Sequence, residues 1–160
     1  MTAPRLDIRV DAAARRITLV GRIDDNAVLT AVPQQVPAGP VTIDTSGVTF
    51  INSIGMREWI RLIRLLDDRG DAITLERVAD VLITQMNLIP EFRDRVRIAS
   101  FHAQYLCGNC GAEAAPVVDA IAHASELAET RAPRLPCPEC GQAMELGDFP
   151  ERYLMLFSRR

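Results

Sequence analysis

The sequence predicts an α/β protein: a mixed β-sheet with helices packed on it, followed by a small four-cysteine module. Three observations lead there. Residues 41–66 pass from a β-branched alternating pattern to a helical period within one stretch. Strand-like and helix-like segments alternate along residues 1–100, the pattern of a partly parallel sheet covered by helices. Beyond them stand two Cys-x-x-Cys-Gly motifs, one at Cys107 and Cys110, the other at Cys137 and Cys140.

Leu6, Ile8 and Val10 alternate with Asp7 and Arg9, and residues 16–21 repeat the pattern after a turn, so the chain opens as a hairpin-like pair. Asp24, Asp25 and Asn26 offer caps for a short helix over residues 26–32. Pro33, Pro37, Gly39 and Pro40 then mark a loop. Val41, Thr42, Ile43 and Asp44 form a buried strand, and residues 45–52 read as a connecting loop that turns at Gly47.

A helix follows from Ser53 to Asp68, with Gly70 as its stop. At about 100° per residue, Met56, Trp59, Ile60, Leu62, Ile63 and Leu66 share one apolar arc, and Arg57, Arg61, Arg64 and Asp68 line the opposite side. That is a core-facing amphipathic helix. Ile54 and Leu65 fall outside the arc, near Arg57, Glu58 and Arg61. Two apolar residues on a charged face hint at a contact surface. Residues 72–76 make a fourth strand and residues 78–88 a helix closed by Pro90. A short turn over residues 91–95 leads to one long strand, or two collinear ones, over residues 95–106.

Asp44, Ser46, Gly47, Val48, Phe50, Ser53, Gly55 and Met56 carry a resemblance. Together they resemble the signature of the STAS family, the anti-sigma factor antagonists of bacteria, roughly D-L-S-G-V-x-F-[IM]-D-S-[ST]-G-[LM]. The resemblance covers about residues 5–100, and Leu19, Gly21, Ile23 and Asp24 match a second family pattern, L-x-G-x-[IL]-D. It implies a STAS-like sheet, a partner-binding role and a phosphoacceptor serine, which falls on Ser53. The implied partner is an anti-sigma factor or a serine kinase of the histidine-kinase-like ATPase family. Asn52 stands where the family has aspartate and Ile54 where it has a second serine. From the residues alone, Ser53 is also a helix N-cap, so cap and phosphoacceptor both stay open. Asn52, Ile54, Arg57, Glu58 and Arg61 are the candidate partner-binding residues around it.

With 160 residues the chain holds one domain, or one plus a small module, divided here into residues 1–100 and 101–160. A hydrophobic content of 48% supports a core, and a net charge of −3 gives no bulk electrostatic reason to bind nucleic acid. The N-terminus has no long apolar run and no segment reaches the ~20 apolar residues of a membrane span. A cytoplasmic protein is expected, and four cysteines in two close pairs suit a reducing compartment as metal ligands.

Each Cys-x-x-Cys presents two thiolates from one tight turn, and the glycine that follows frees the backbone to aim amides at sulfur. Two such knuckles, Cys107 with Cys110 and Cys137 with Cys140, supply a tetrahedral four-sulfur set and resemble a zinc ribbon. Zinc is the expected ion. Iron is its competitor, because rubredoxins use similar knuckles, but the dense aromatic surround of such an iron is missing. A four-thiolate site leaves no open position, so it is structural. Residues 114–120 suggest a strand, and residues 123–134 a loop or short helix. His102 and His123 are read as packed or solvated residues, and the apolar tail over residues 149–157 as folding back onto the ribbon or sheet.

No G-x-S-x-G, P-loop or H-E-x-x-H occurs, and neither histidine has a paired acid beside it. The reading is a non-enzymatic regulatory protein. The alternatives are a constitutive adaptor without phosphorylation and a nucleic-acid-binding zinc ribbon; a homodimer stays open.

Overall fold

The computed structural model describes residues 5–158. Hydrophobic alternation builds its first sheet. β1 (Asp7–Asp11) and β2 (Arg16–Ile23) pair antiparallel, with Asp11 opposite Arg16 and Asp7 opposite Val20. Along β2 every second residue from Ile17 to Ile23 is buried, so one face of the sheet is committed to the core. β3 (Val41–Ile51), β4 (Ile73–Glu76) and β5 (Val96–Ile98) follow in parallel, giving the order β1-β2-β3-β4-β5. The sheet is mixed, as expected. α1 (Ser53–Asp68), α2 (Asp80–Met86) and the single turn α3 (Phe92–Arg95) connect the parallel strands.

α1 follows its periodicity. Met56, Trp59, Leu62, Ile63 and Leu66 are buried in one cluster with Ile17, Leu19, Ile23, Ile43 and Leu75. Trp59 is fully enclosed, and a ring of that size contributes more apolar area than any other side chain type. Gly70, at φ +87°, ends the helix: its N–H reaches the Asp67 carbonyl at 2.9 Å and the next N–H, of Asp71, reaches Leu66 at 3.1 Å. This double closure needs a left-handed residue, which glycine adopts at no steric cost.

Three expectations are corrected. First, residues 26–32 form no helix. The chain makes a turn closed from the Ala27 N–H to the Asp24 carbonyl (3.1 Å), and its only helical piece is a 3-10 turn over Val32–Gln35. Leu29 donates its N–H to Glu58 Oε2 on α1 (3.2 Å), and Pro33 and Pro37 have no N–H to give. Second, residues 45–51 are no loop but the continuation of β3, which pairs Gly47 with Val20 and Ile51 with Ile23 across two register irregularities. Gly47 is a contact rather than a turn: a Cβ there would stand 2.9 Å from Val20 Cγ2. Third, residues 95–106 form three short strands in three different sheets.

The third correction shows how the chain leaves the first sheet. After β5, Ala99 donates to the Leu75 carbonyl (2.8 Å) and accepts from the Ala120 N–H (2.9 Å), so one residue joins two sheets. β6 (Ser100–His102) then pairs antiparallel with β9 (Val117–Asp119). β7 (Tyr105–Leu106) lies between β8 (Glu113–Ala114) and β11 (Ala143–Leu146), and β10 (Leu135–Pro136) borders β11. α4 (Ala124–Ala128) crosses between them. The tail makes α5 (Pro150–Tyr153) and a second 3-10 turn (Met155–Phe157). Phe101, Tyr105, Val118, Leu127, Met144, Tyr153 and Leu154 belong to the same buried cluster as the first sheet. Among the described residues no helix is long and apolar enough to cross a membrane.

Candidate functional site

Two sites emerge, built by different means. The first is the cysteine cluster. β7 ends at Leu106 and β10 at Pro136, and each runs straight into a knuckle. The knuckles match atom for atom in their backbone: Gly111 donates to the Cys107 carbonyl and Gly141 to that of Cys137, both at 2.9 Å. Cys107 in turn donates to Ala112 (2.8 Å) and Cys137 to Gln142 (2.7 Å). Gly111 and Gly141 sit at φ +75° and +78°, the left-handed region each turn requires.

This geometry brings the four Sγ atoms of Cys107, Cys110, Cys137 and Cys140 within 4.8 Å of one another. Two pairs cross between knuckles, Cys107 to Cys140 and Cys110 to Cys137, each at 3.6 Å. Tetrahedral coordination at about 2.3 Å per sulfur would place thiolates about 3.8 Å apart. The donor set therefore fits a single metal ion. Cys107 and Cys137 are buried, and Cys110 and Cys140 face outward. The Glu139 N–H points at Cys137 Sγ (3.4 Å) and the Asn109 amide at Cys140 Sγ (3.5 Å), the polar support that thiolate ligands receive.

The electrostatics agree. Asn109 and the Gln142 N–H pull the Cys140 thiol down to about 6. At Cys110 the Ala112 N–H favours ionisation, but desolvation and the three neighbouring sulfurs outweigh it and push the thiol up to about 12. Four adjacent sulfurs ionise together only beside a cation. His102 and His123 are not ligands: His102 Nδ1 lies 2.8 Å from the Ala115 carbonyl and His123 Nδ1 lies 3.2 Å from Glu126.

The second site is the outer face of α1. The helix is capped by Asn52, not Ser53: Asn52 Oδ1 accepts from the Gly55 N–H at 2.8 Å. Ser53 is thus the first helical residue, exposed, and its hydroxyl makes no hydrogen bond among the described residues. Asn52→Ala is expected to cost about 1 kcal/mol of stability and Ser53→Ala close to nothing. Denaturant midpoints of the two variants check this, and equal losses would return the cap to Ser53.

Along the outer face of α1 the structure leaves Ile54, next to Ser53, and Leu65, three turns further on, about half exposed (49% and 43%), and Val28, next to the Leu29 that bonds Glu58, is exposed. Arg57 is exposed and has no ion pair or hydrogen bond among the described residues. Arg61 is exposed and pairs with Glu58 at 3.0 Å. Glu58 is committed inward, since its other oxygen holds Leu29, so it positions the residue 24–30 segment rather than presenting a free charge. Thr30, Arg61, Arg64 and Leu65 line a recess of about 430 Å³. Val28 and Thr30 escape sequence reasoning because a helix over residues 26–32 gives no reason to set them beside α1.

An ion cluster around one buried carboxylate, with partly exposed partners, involves the other side of β3. Asp44 is nearly fully buried and meets Arg77, Arg16 Nη2 (3.2 Å) and the Ser46 N–H (2.9 Å). Burial alone would raise its pKa, but the Ser46 N–H and Arg77 outweigh that and hold it below the usual carboxylate range. Arg16 also bridges to Glu76 at 2.9 Å. These charges neutralise one another and serve the packing of β2, β3 and β4.

In comparisons with known proteins, no family model, no curated protein and no solved structure matches this chain.

Proposed function

We propose that the chain is a non-enzymatic bacterial signalling protein of STAS type. It acts as an anti-sigma factor antagonist-like module that binds a protein partner through Ser53 and the outer face of α1. The partner class is an anti-sigma factor or a serine kinase of the histidine-kinase-like ATPase family, in the cytoplasm. The observation that carries the reading is the position of Ser53. Asn52 takes over the cap, which frees an exposed hydroxyl at a helix N-terminus beside Ile54 and one turn ahead of Arg57, which has no ion pair among the described residues. A phosphate there would add about two negative charges, one turn ahead of Arg57 and at the positive end of the helix dipole. The chain itself accommodates it, and a partner seated on Ile54 loses contact.

Zinc is the metal we assign to the cysteine set, held by Cys107, Cys110, Cys137 and Cys140, and its role is structural. Iron is the alternative occupant. Residues 101–160 carry five arginines (Arg131, Arg134, Arg152, Arg159 and Arg160) against eight acidic residues, which supports a protein partner over nucleic acid for this region.

The test is capture from the native host with four baits: wild type, Ser53→Asp, Ser53→Ala and Ile54→Arg. Wild type and Ser53→Ala are expected to retain a protein with a histidine-kinase-like ATPase domain, and Ser53→Asp and Ile54→Arg to lose it. Equal retention by all four would make the chain a constitutive adaptor acting elsewhere on its surface. Recovery of no such protein by any bait would remove the anti-sigma reading.

A further inference from the structure

The last ten described residues lie in a groove of α2, α3 and β6, and the contacts that hold them have the form of peptide recognition. Asn87, at the end of α2 and nearly fully buried, uses both ends of its amide. Its Nδ2 donates to the Tyr153 carbonyl at 2.6 Å, and its Oδ1 accepts from the Leu156 N–H at 3.0 Å. Arg93 on α3 donates to the Met155 carbonyl (2.7 Å) and to the carbonyl and hydroxyl of Ser158. Side chains of the groove thus read the tail's backbone, while anchors fill its pockets. Tyr153 and Leu154 are buried, the Tyr153 hydroxyl reaches Asp80 and the His102 carbonyl (3.2 Å), and the Phe157 ring stacks on Phe101 at 4.8 Å. Backbone hydrogen bonds for affinity and a few side-chain pockets for specificity are the division of labour in peptide-binding grooves.

Within the segment itself little holds its shape. Its two helical pieces span four and three residues, too short to hold themselves together. It hangs from β11 by Gly147 and Asp148, and Gly147 is tied to the sheet through the Gln104 carbonyl at 2.8 Å. The tail fills the groove incompletely. A cavity of about 280 Å³ remains beside it, lined by Thr84, Asn87, Leu88, Arg152 and Met155, and Leu88 is 72% exposed at its rim.

We propose that the groove of α2, α3 and β6 is a segment-binding site, filled here by residues 149–158 of its own chain and open to the same segment of a second copy. A reciprocal exchange of tails would use only contacts already present, the low-cost route to a dimer.

The test uses the full chain carrying Tyr153→Ala and Leu154→Ala, which empties the two anchor pockets, and a labelled synthetic peptide copying residues 149–158. The variant is expected to bind the peptide saturably. Wild type should bind at least about tenfold more weakly, because its tethered tail competes at an effective concentration of roughly millimolar. Adding Asn87→Ala to the double variant removes two hydrogen bonds and should weaken binding about thirtyfold. No binding by a cooperatively folded double variant, or equal binding of a scrambled peptide, overturns the proposal. Should the double variant not fold, hydrogen exchange on the unmodified chain decides. The Leu156 amide is expected to exchange by local opening, well before the amides of α1. Exchange of Leu156 only in step with α1 would make the tail a permanent part of the core and overturn the proposal.

Discussion

A strong chelator is expected to strip the cysteine set and unfold residues 104–147 while the first sheet stays folded. A site of this kind contributes on the order of 10 kcal/mol of metal-binding free energy at neutral pH. The ribbon's own strands cannot replace it, since β7, β8 and β10 have two residues each. Cys107→Ser or Cys137→Ser, which removes a buried ligand, should reproduce the effect without chelator. Hydrogen exchange resolved by segment, with elemental analysis of the purified protein, makes the measurement. Loss of protection at Tyr105 and Met144 with retention at Ile43 and Leu75 is the expected result. Unchanged exchange after chelation and cysteine alkylation would mean that the four sulfurs hold no structural ion. Zinc as the dominant element supports the assignment made above, and a red protein rich in iron replaces it.

The second large effect is expected at Gly55. A Cβ there would fall 1.8 Å from the Ile23 carbonyl oxygen and 2.5 Å from its carbon, both backbone atoms of β2 that no side-chain rotation can clear. Gly55→Ala must therefore lift the first turn of α1 off the sheet. The cost is expected at about 3 kcal/mol or more, the upper range for overpacking. Gly108→Ala is the control, since nothing lies within 4 Å of the place its methyl group would take, and it should change stability little. Chemical denaturation of the two variants compares them. A Gly55→Ala protein as stable as wild type would show that the first turn of α1 moves freely, and with it the geometry argued for Ser53.

What is legible in the sequence depends on how far apart the cooperating residues lie. α1 is legible because its apolar period, its stop at Gly70 and its buried Trp59 all sit within one stretch. The cysteine set is legible because each knuckle is complete within five residues, from Cys107 to Gly111 and from Cys137 to Gly141. The far half of β3 is hidden by its register irregularities, which break the alternation of a strand, so Ser46, Gly47 and Thr49 look like a loop. The cap at Asn52 is hidden by its neighbour: two capping residues stand side by side, and only backbone geometry chooses between them. Residues 26–32 mislead because their decisive partner, Glu58, lies 29 positions from Leu29. The hold of Asn87 on Tyr153 and Leu156 spans more than 60 positions and leaves no local pattern at all.

Ala99 is the single residue between β5 and β6, handing the chain directly from one sheet to the next. Two binding surfaces joined by a flexible tether meet a partner as independent hands, each searching a volume set by the tether's length. Here the search is removed. On the function proposed above, a molecule docked on α1 would meet the acidic cysteine module at a set distance, so a bivalent partner would be selected by its shape before its affinity counts. Insertion of a few glycines after Ala99 would turn that geometric selection back into a statistical one.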